Sequence, residues 1–164
     1  MKTYILKREQ IVARSLREVF AFFERPEHLA RIVPPSLAFE IITPGPIEMT
    51  KGAIFDYTVL LYGIRVRWTS FIAAFDPPHR FIDVQLRGPY SFWHHTHTFE
   101  VVSGGTAIRD EVRYILPMGV VGRMVHGVLV RPRLDHIFDY RSRIISNILD
   151  GQQDDSTNVH EEIN

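Results

Sequence analysis

A long run of β-patterned segments, closed off by a single long helical segment, constrains this chain more than any other feature. From Leu37 to Leu116 turn signals recur at Pro44-Gly45-Pro46, Tyr62-Gly63, Asp76-Pro77-Pro78, Gly88-Pro89 and Ser103-Gly104-Gly105. Between them lie stretches rich in β-branched and aromatic residues: Ala53 to Leu61, Ile64 to Phe75, Phe81 to Leu86, Tyr90 to Val102 and Thr106 to Leu116. Connections this short imply an antiparallel meander. Several stretches exceed the ~5–6 residues of an ordinary strand, and long strands coil into a concave face.

The elements on either side complete the plan. Thr3 to Ala13 reads as a further strand, and with the β pattern that begins at Leu37 the sheet is expected to have about seven strands. Ser15-Leu16-Arg17-Glu18 matches a capping box, and Leu16, Val19, Phe20 and Phe23 follow at helical spacing until Pro26. A second short helix fits Pro26 to Ile32, ended by Pro34-Pro35. After the sheet, about Gly119 to Leu149 carries Val121, Val125, Val128, Leu134, Ile137, Phe138, Ile144, Ile145 and Ile148 mostly on one helical stripe. At ~1.5 Å per residue this helix is on the order of 45 Å long, and Pro132 should kink or split it. The fold class is α+β: a curved antiparallel sheet around one long C-terminal helix, with two short helices after the first strand. One helix cannot fill the hollow of so large a sheet, so a cavity for an apolar ligand is expected.

Composition narrows the function classes. The chain has 164 residues, with 19 basic and 19 acidic side chains and no cysteine. That length suits one domain, placed at residues 1–150, with the polar residues 151–164 as a disordered acidic tail. Balanced charge gives no footprint for nucleic acid or an anionic membrane. Without cysteine there is no disulfide, thiolate metal site or Cys nucleophile. The first residues, MKTYILKREQ, lack the apolar core of a signal peptide, and no stretch reaches the ~18 apolar residues of a membrane span. A cytoplasmic protein is the expectation, and pairing of edge strands leaves a homodimer open.

Chemistry concentrates in Trp93-His94-His95-Thr96-His97-Thr98-Phe99-Glu100-Val101. On a strand, Trp93, His95, His97 and Phe99 share one face. A two-residue loop at Ser103-Gly104 places Phe99 opposite Ile108 and His97 opposite Asp110, whereas a shifted register makes His97 meet Val112. Three roles compete. Two His at i and i+2 suit a metal, but no third ligand stands at a telling spacing, so no metal is expected. His97 with Asp110 could act as a general base, though no nucleophile accompanies it. The preferred reading makes the histidines hydrogen-bonding wall residues that recognise a ligand. Trp68 and Tyr114 join the wall, and Ile137 faces it from the helix. Asp83 either faces solvent or pairs with His95 across the Gly88-Pro89 turn. Arg131, Arg133, Arg141 and Arg143 read as a solvated helix face, with an Arg reaching in to a ligand carboxylate as the alternative.

The chain resembles the START-like superfamily of polyketide cyclases and dehydrases, lipid-transfer domains and coenzyme Q-binding proteins, a set with the helix-grip fold. The resemblance runs from about Thr3 to Leu149. It is carried by Ser15 to Phe23 with Pro26-Glu27-His28-Leu29, by Pro34-Pro35, by Gly88-Pro89-Tyr90 through Phe99, and by Ile137-Phe138-Asp139-Tyr140-Arg141. It implies a deep pocket between sheet and C-terminal helix that takes a small hydrophobic molecule such as a lipid, quinone or polyketide. It also implies no metal or cofactor. By this likeness Trp93, His95, His97 and Phe99 lie on a wall strand, and Pro132 departs from the family's smooth helix. The concave sheet with its aromatic lining and no assembled catalytic set favours a carrier, with a cofactor-free cyclase or dehydrase using His97 and Asp110 as the alternative.

Overall fold

Alternating burial along each strand, rather than any single contact, sets the layout of the computed structural model, which describes residues 2–117, 119 and 124–151. β1 (Tyr4–Val12) leads into α1 (Leu16–Phe23). The capping box forms as the sequence predicts: the Glu18 N–H donates to Ser15 Oγ, and the Ser15 N–H donates to the Glu18 carboxylate at 3.0 Å. A 3-10 turn (Pro26–His28), α2 (Leu29–Ile32) and a second 3-10 turn (Pro35–Leu37) follow, with proline in the first turn of both 3-10 elements. Proline costs nothing there, because those N–H groups have no partner within the helix. The remaining strands are β2 (Glu40–Ile41), β3 (Ile54–Leu61), β4 (Ile64–Asp76), β5 (Arg80–Arg87), β6 (Phe92–Val102) and β7 (Gly105–Ile115). A π-helical turn (His126–Val130) then opens into α3 (Arg131–Asp150). No helix among the described residues is long and apolar enough to cross a membrane.

All seven strands form one antiparallel sheet in the order β1-β7-β6-β5-β4-β3-β2. The hairpin turns set the registers. At Tyr62-Gly63 both central residues have positive φ (52° and 81°), the two-residue turn that matches strand twist. At Ser103-Gly104 the loop closes on the Val102–Gly105 pair, which puts Phe99 opposite Ile108 and His97 opposite Asp110. Gly105 has φ of 138°, and a Cβ there would lie 2.0 Å from the Val12 carbonyl oxygen. Only glycine lets the end of β1 close against the start of β7. Register shifts between Thr69 and Ser70 and between Ile72 and Ala74 mark irregularities in the β4–β5 pairing, which bend strands.

The helix packs by its own periodicity. α3 buries Leu134, Phe138, Arg141, Ile145 and Leu149, one stripe with steps of three or four residues. Polar contacts tie it to β1: Arg8 to Asp135 (2.6 Å) and Asp139 (3.2 Å), Gln10 Nε2 to the Ser142 carbonyl (3.1 Å), and the Ala13 N–H to Asp150 (2.9 Å). Partner numbers rise together, so α3 runs in the direction of β1. Two apolar clusters result. One joins Leu134 and Phe138 to Tyr57, Trp68, Trp93 and Tyr114, and the other joins Ile145 and Leu149 to Phe20, Phe23, Phe81 and Phe99.

Two sequence expectations need correction. Val125 and Val128 are exposed rather than on the packed stripe, because the wider π-helical turn rotates residues before Arg131 away from the sheet. Tyr90 is not in β6. The Gln85 side-chain amide donates to its carbonyl (2.7 Å) and holds it in the turn. Val121 and the tail at 152–164 lie outside the described residues.

Candidate functional site

Between the concave face and the helices lies a cavity of about 180 Å³. Aromatic side chains supply most of its wall, among them Phe23 from α1, Tyr57 from β3, Trp68 from β4, Trp93 from β6 and Phe138 from α3. Trp68 stacks on Tyr57 (5.8 Å between centroids) and meets Trp93 edge-on (5.2 Å). Ring pairs of this kind make a stiff apolar surface. Arg25 and His28 also line it, and a separate cluster of charged or titratable groups is formed by Asp83, His95, His97 and Arg141.

Three neighbouring strands and the helix assemble that polar island. Strand alternation turns His95 and His97 of β6 inward, and both are buried. The register sets Asp83 of β5 opposite His95 and Asp110 of β7 opposite His97. The hydrogen bonds run diagonally. His95 Nε2–H donates to Asp110 Oδ1 at 2.9 Å, and His97 Nε2–H donates to Asp83 Oδ2 at 2.8 Å. The other ring nitrogens are also engaged: His95 Nδ1 lies 3.6 Å from Asp83 Oδ2, and His97 Nδ1 lies 3.0 Å from Asp110 Oδ1. Arg141 enters from α3, with a terminal nitrogen 3.3 Å from His97 Nδ1 and 3.4 Å from Asp110 Oδ1.

Burial would raise the Asp110 carboxyl, but the Arg141 guanidinium and the two histidines outweigh it and hold it well below its ordinary value. Asp83 behaves likewise, burial being overcome by the His97 hydrogen bond and by the charges of His95, His97 and Arg141. Burial and the neighbouring His97 push His95 down to about 4, so its imidazole is neutral at physiological pH. Two donors remain without a protein acceptor: the buried Trp68 Nε1 and Arg141 Nε, both on residues that line the cavity.

The chain superposes on a START superfamily protein from Mycobacterium smegmatis with a TM-score of 0.65 at 10% identity, covering 91% of this chain and 99% of that one. The chain has the START-like, helix-grip fold. A protein from Rhodobacter sphaeroides shares it (TM-score 0.66, 18% identity, 90% of this chain and 93% of that one), as does Ara h 8.0201 (0.57, 15%, 89% and 100%). No family model matches the sequence, and no curated protein matches it. At such identities the START-like fold is common ground, and the chemistry has to come from the side chains.

Within this START-like frame, Trp68, Trp93, His95, His97 and Ile137 line the cavity. Phe99, Asp110 and Tyr114 do not, which corrects their place on the wall. Phe99 is consumed by packing on Phe20 and Phe23, and the Tyr114 hydroxyl bonds His126 Nε2 at 2.8 Å. Asp110 flanks the histidines on the β7 side, across from Asp83 on β5, and is outside the lining. Asp83 takes the His95-facing option rather than solvent, and so supplies the third donor that sequence spacing does not reveal. Arg141 leaves the solvated face assigned to it and is buried. Its signal is present in the sequence: it continues the Leu134–Phe138 steps toward Ile145, an arginine at a core position. Tyr57, Tyr90 and Phe138 also line the cavity without having been singled out for it.

Proposed function

We propose that the protein binds a small, mainly apolar molecule carrying an oxygen acceptor, held in the cavity with its ring among the aromatics and its polar end at the His95–His97–Arg141 island. The observation that carries this reading is an aromatic cavity whose wall holds one cluster of four polar side chains, Asp83, His95, His97 and Arg141. Pockets of this kind take orientation from few polar groups and affinity from the apolar wall. Volume narrows the class. A cavity of ~150 Å³ holds benzene, so about 180 Å³ suits an aromatic ring with a short polar substituent. That favours a phenol, an aromatic acid or the head of a quinone or polyketide over a long acyl chain.

A second reading makes His97 a general base, positioned by Asp110 Oδ1 at 3.0 Å, in a cofactor-free cyclase or dehydrase. It shares the cavity and differs in requiring turnover.

A thermal-shift series separates the ligand classes. Ring-sized phenols and aromatic acids at ~100 times their Kd should raise Tm by roughly 5–10 °C, since such saturation is worth about 2.7 kcal/mol. Palmitate should give a smaller shift. No shift with any aromatic compound, or a larger one with palmitate, contradicts the proposal.

A further inference from the structure

The polar island has a property that recognition of an organic acceptor does not require. Asp83, His95 and His97 each offer one ligand atom, and the three atoms lie within 4.8 Å of one another. Hydrogen bonding to Asp110 decides which atoms those are. Asp110 Oδ1 sits 2.9 Å from His95 Nε2 and 3.0 Å from His97 Nδ1, so one carboxylate oxygen faces the far nitrogen of both rings. The near nitrogens, His95 Nδ1 and His97 Nε2, converge on Asp83 Oδ2 at 3.6 Å and 2.8 Å.

We propose that Asp83 Oδ2, His95 Nδ1 and His97 Nε2 form a binding site for one divalent first-row transition-metal ion, supported by Asp110 and Arg141. Two imidazoles and one carboxylate on one side of an ion are the donor set of facial iron and zinc sites. An ion with ~2.0–2.2 Å bonds holds its ligand atoms about 3–3.5 Å apart, and the two spacings to Asp83 Oδ2, 3.6 Å and 2.8 Å, need adjustments of only a few tenths of an ångström. On binding, the His97 proton moves from Nε2 to Nδ1, where Asp110 accepts it. Both rings then donate to the same carboxylate, the outer hydrogen bond that orients metal-ligating histidines. Charge agrees: two carboxylates against one guanidinium leave the island one unit negative with neutral imidazoles. Asp83, His95 and His97 line the cavity and Asp110 does not, so the open coordination positions face the ligand space. A phenolate or carboxylate in the cavity could complete the shell, but ion binding itself does not rest on the ligand reading.

The test uses the full chain stripped with a chelator and titrated with Co²⁺. The expected result is a visible ligand-field absorption that saturates near one equivalent, is displaced by Zn²⁺, and is accompanied by a rise in Tm. Asp83→Asn and His97→Gln should each weaken binding at least 100-fold, and Asp110→Asn about 10–100-fold. His79→Ala and His136→Ala, at exposed positions, should leave it unchanged. Circular dichroism and a cooperative melt certify each variant. If His97→Gln fails to fold, the near-isosteric Asp83→Asn carries the result. No saturable absorption, or absorption that persists in Asp83→Asn, overturns the site. Thermal shifts with aromatic compounds on the chelated protein test the ligand reading separately.

Discussion

Arg141 occupies a position on α3 where an apolar side chain would complete the buried stripe, and its charge is tolerated because Asp110 lies 3.4 Å away. Removing one member of a buried pair strands the other, at a cost of about 3–5 kcal/mol. Arg141→Met should therefore lower unfolding free energy by that amount in a denaturant titration. Arg109→Met, which breaks exposed contacts to Glu9 and Glu100, should cost less than about 1 kcal/mol. Equal losses would show that the Arg141–Asp110 pair is not the anchor of the island. The two histidines of this island were legible in the sequence because strand alternation alone turns them inward. Asp83 was not, because its partner depends on the register across Gly88-Pro89. That register is set by the Gln85 side chain gripping Tyr90, a contact no pattern encodes.

At the scale of elements, the strand and helix order follows from turn residues and periodicity, and the strand limits agree with them to within a residue or two at most ends. The one long helix is the exception. Val125 and Val128 fit a 3.6-residue stripe only if the helix is regular, and the π-helical turn His126–Val130 breaks that phase ahead of Pro132. Pro132 follows directly on that turn, and the backbone stays helical through Val130 and Arg131, so the proline meets the π-helical turn without splitting the element. Packing energy should follow the corrected stripe. Phe138→Ala is expected to cost about 3–5 kcal/mol, whereas Val128→Ala, at a site 75% exposed, should stay within about 0.5 kcal/mol of wild type. Comparable losses, measured by chemical denaturation, would place the N-terminal turn in the core after all.

For the whole molecule, the sheet and helix enclose a space whose existence is dictated by topology and whose size is not. A seven-stranded coiled sheet crossed by one helix must leave a hollow. How much remains depends on how far Phe22, Phe23 and Phe138 reach in, which is decided by packing rather than pattern. That is why the START-like fold could be read from the sequence while the size of the cavity could not. The protein contains two tryptophans, Trp68 and Trp93, and both line the cavity in edge-to-face contact. Their intrinsic fluorescence therefore reports occupancy directly. Titration with a naphthol-sized aromatic acid should change the emission saturably at one equivalent, and Ile137→Phe, which adds bulk to the helix side of the wall, should weaken that response at least 10-fold. Emission that never saturates, or that responds identically in Ile137→Phe, would contradict a ligand held in this cavity.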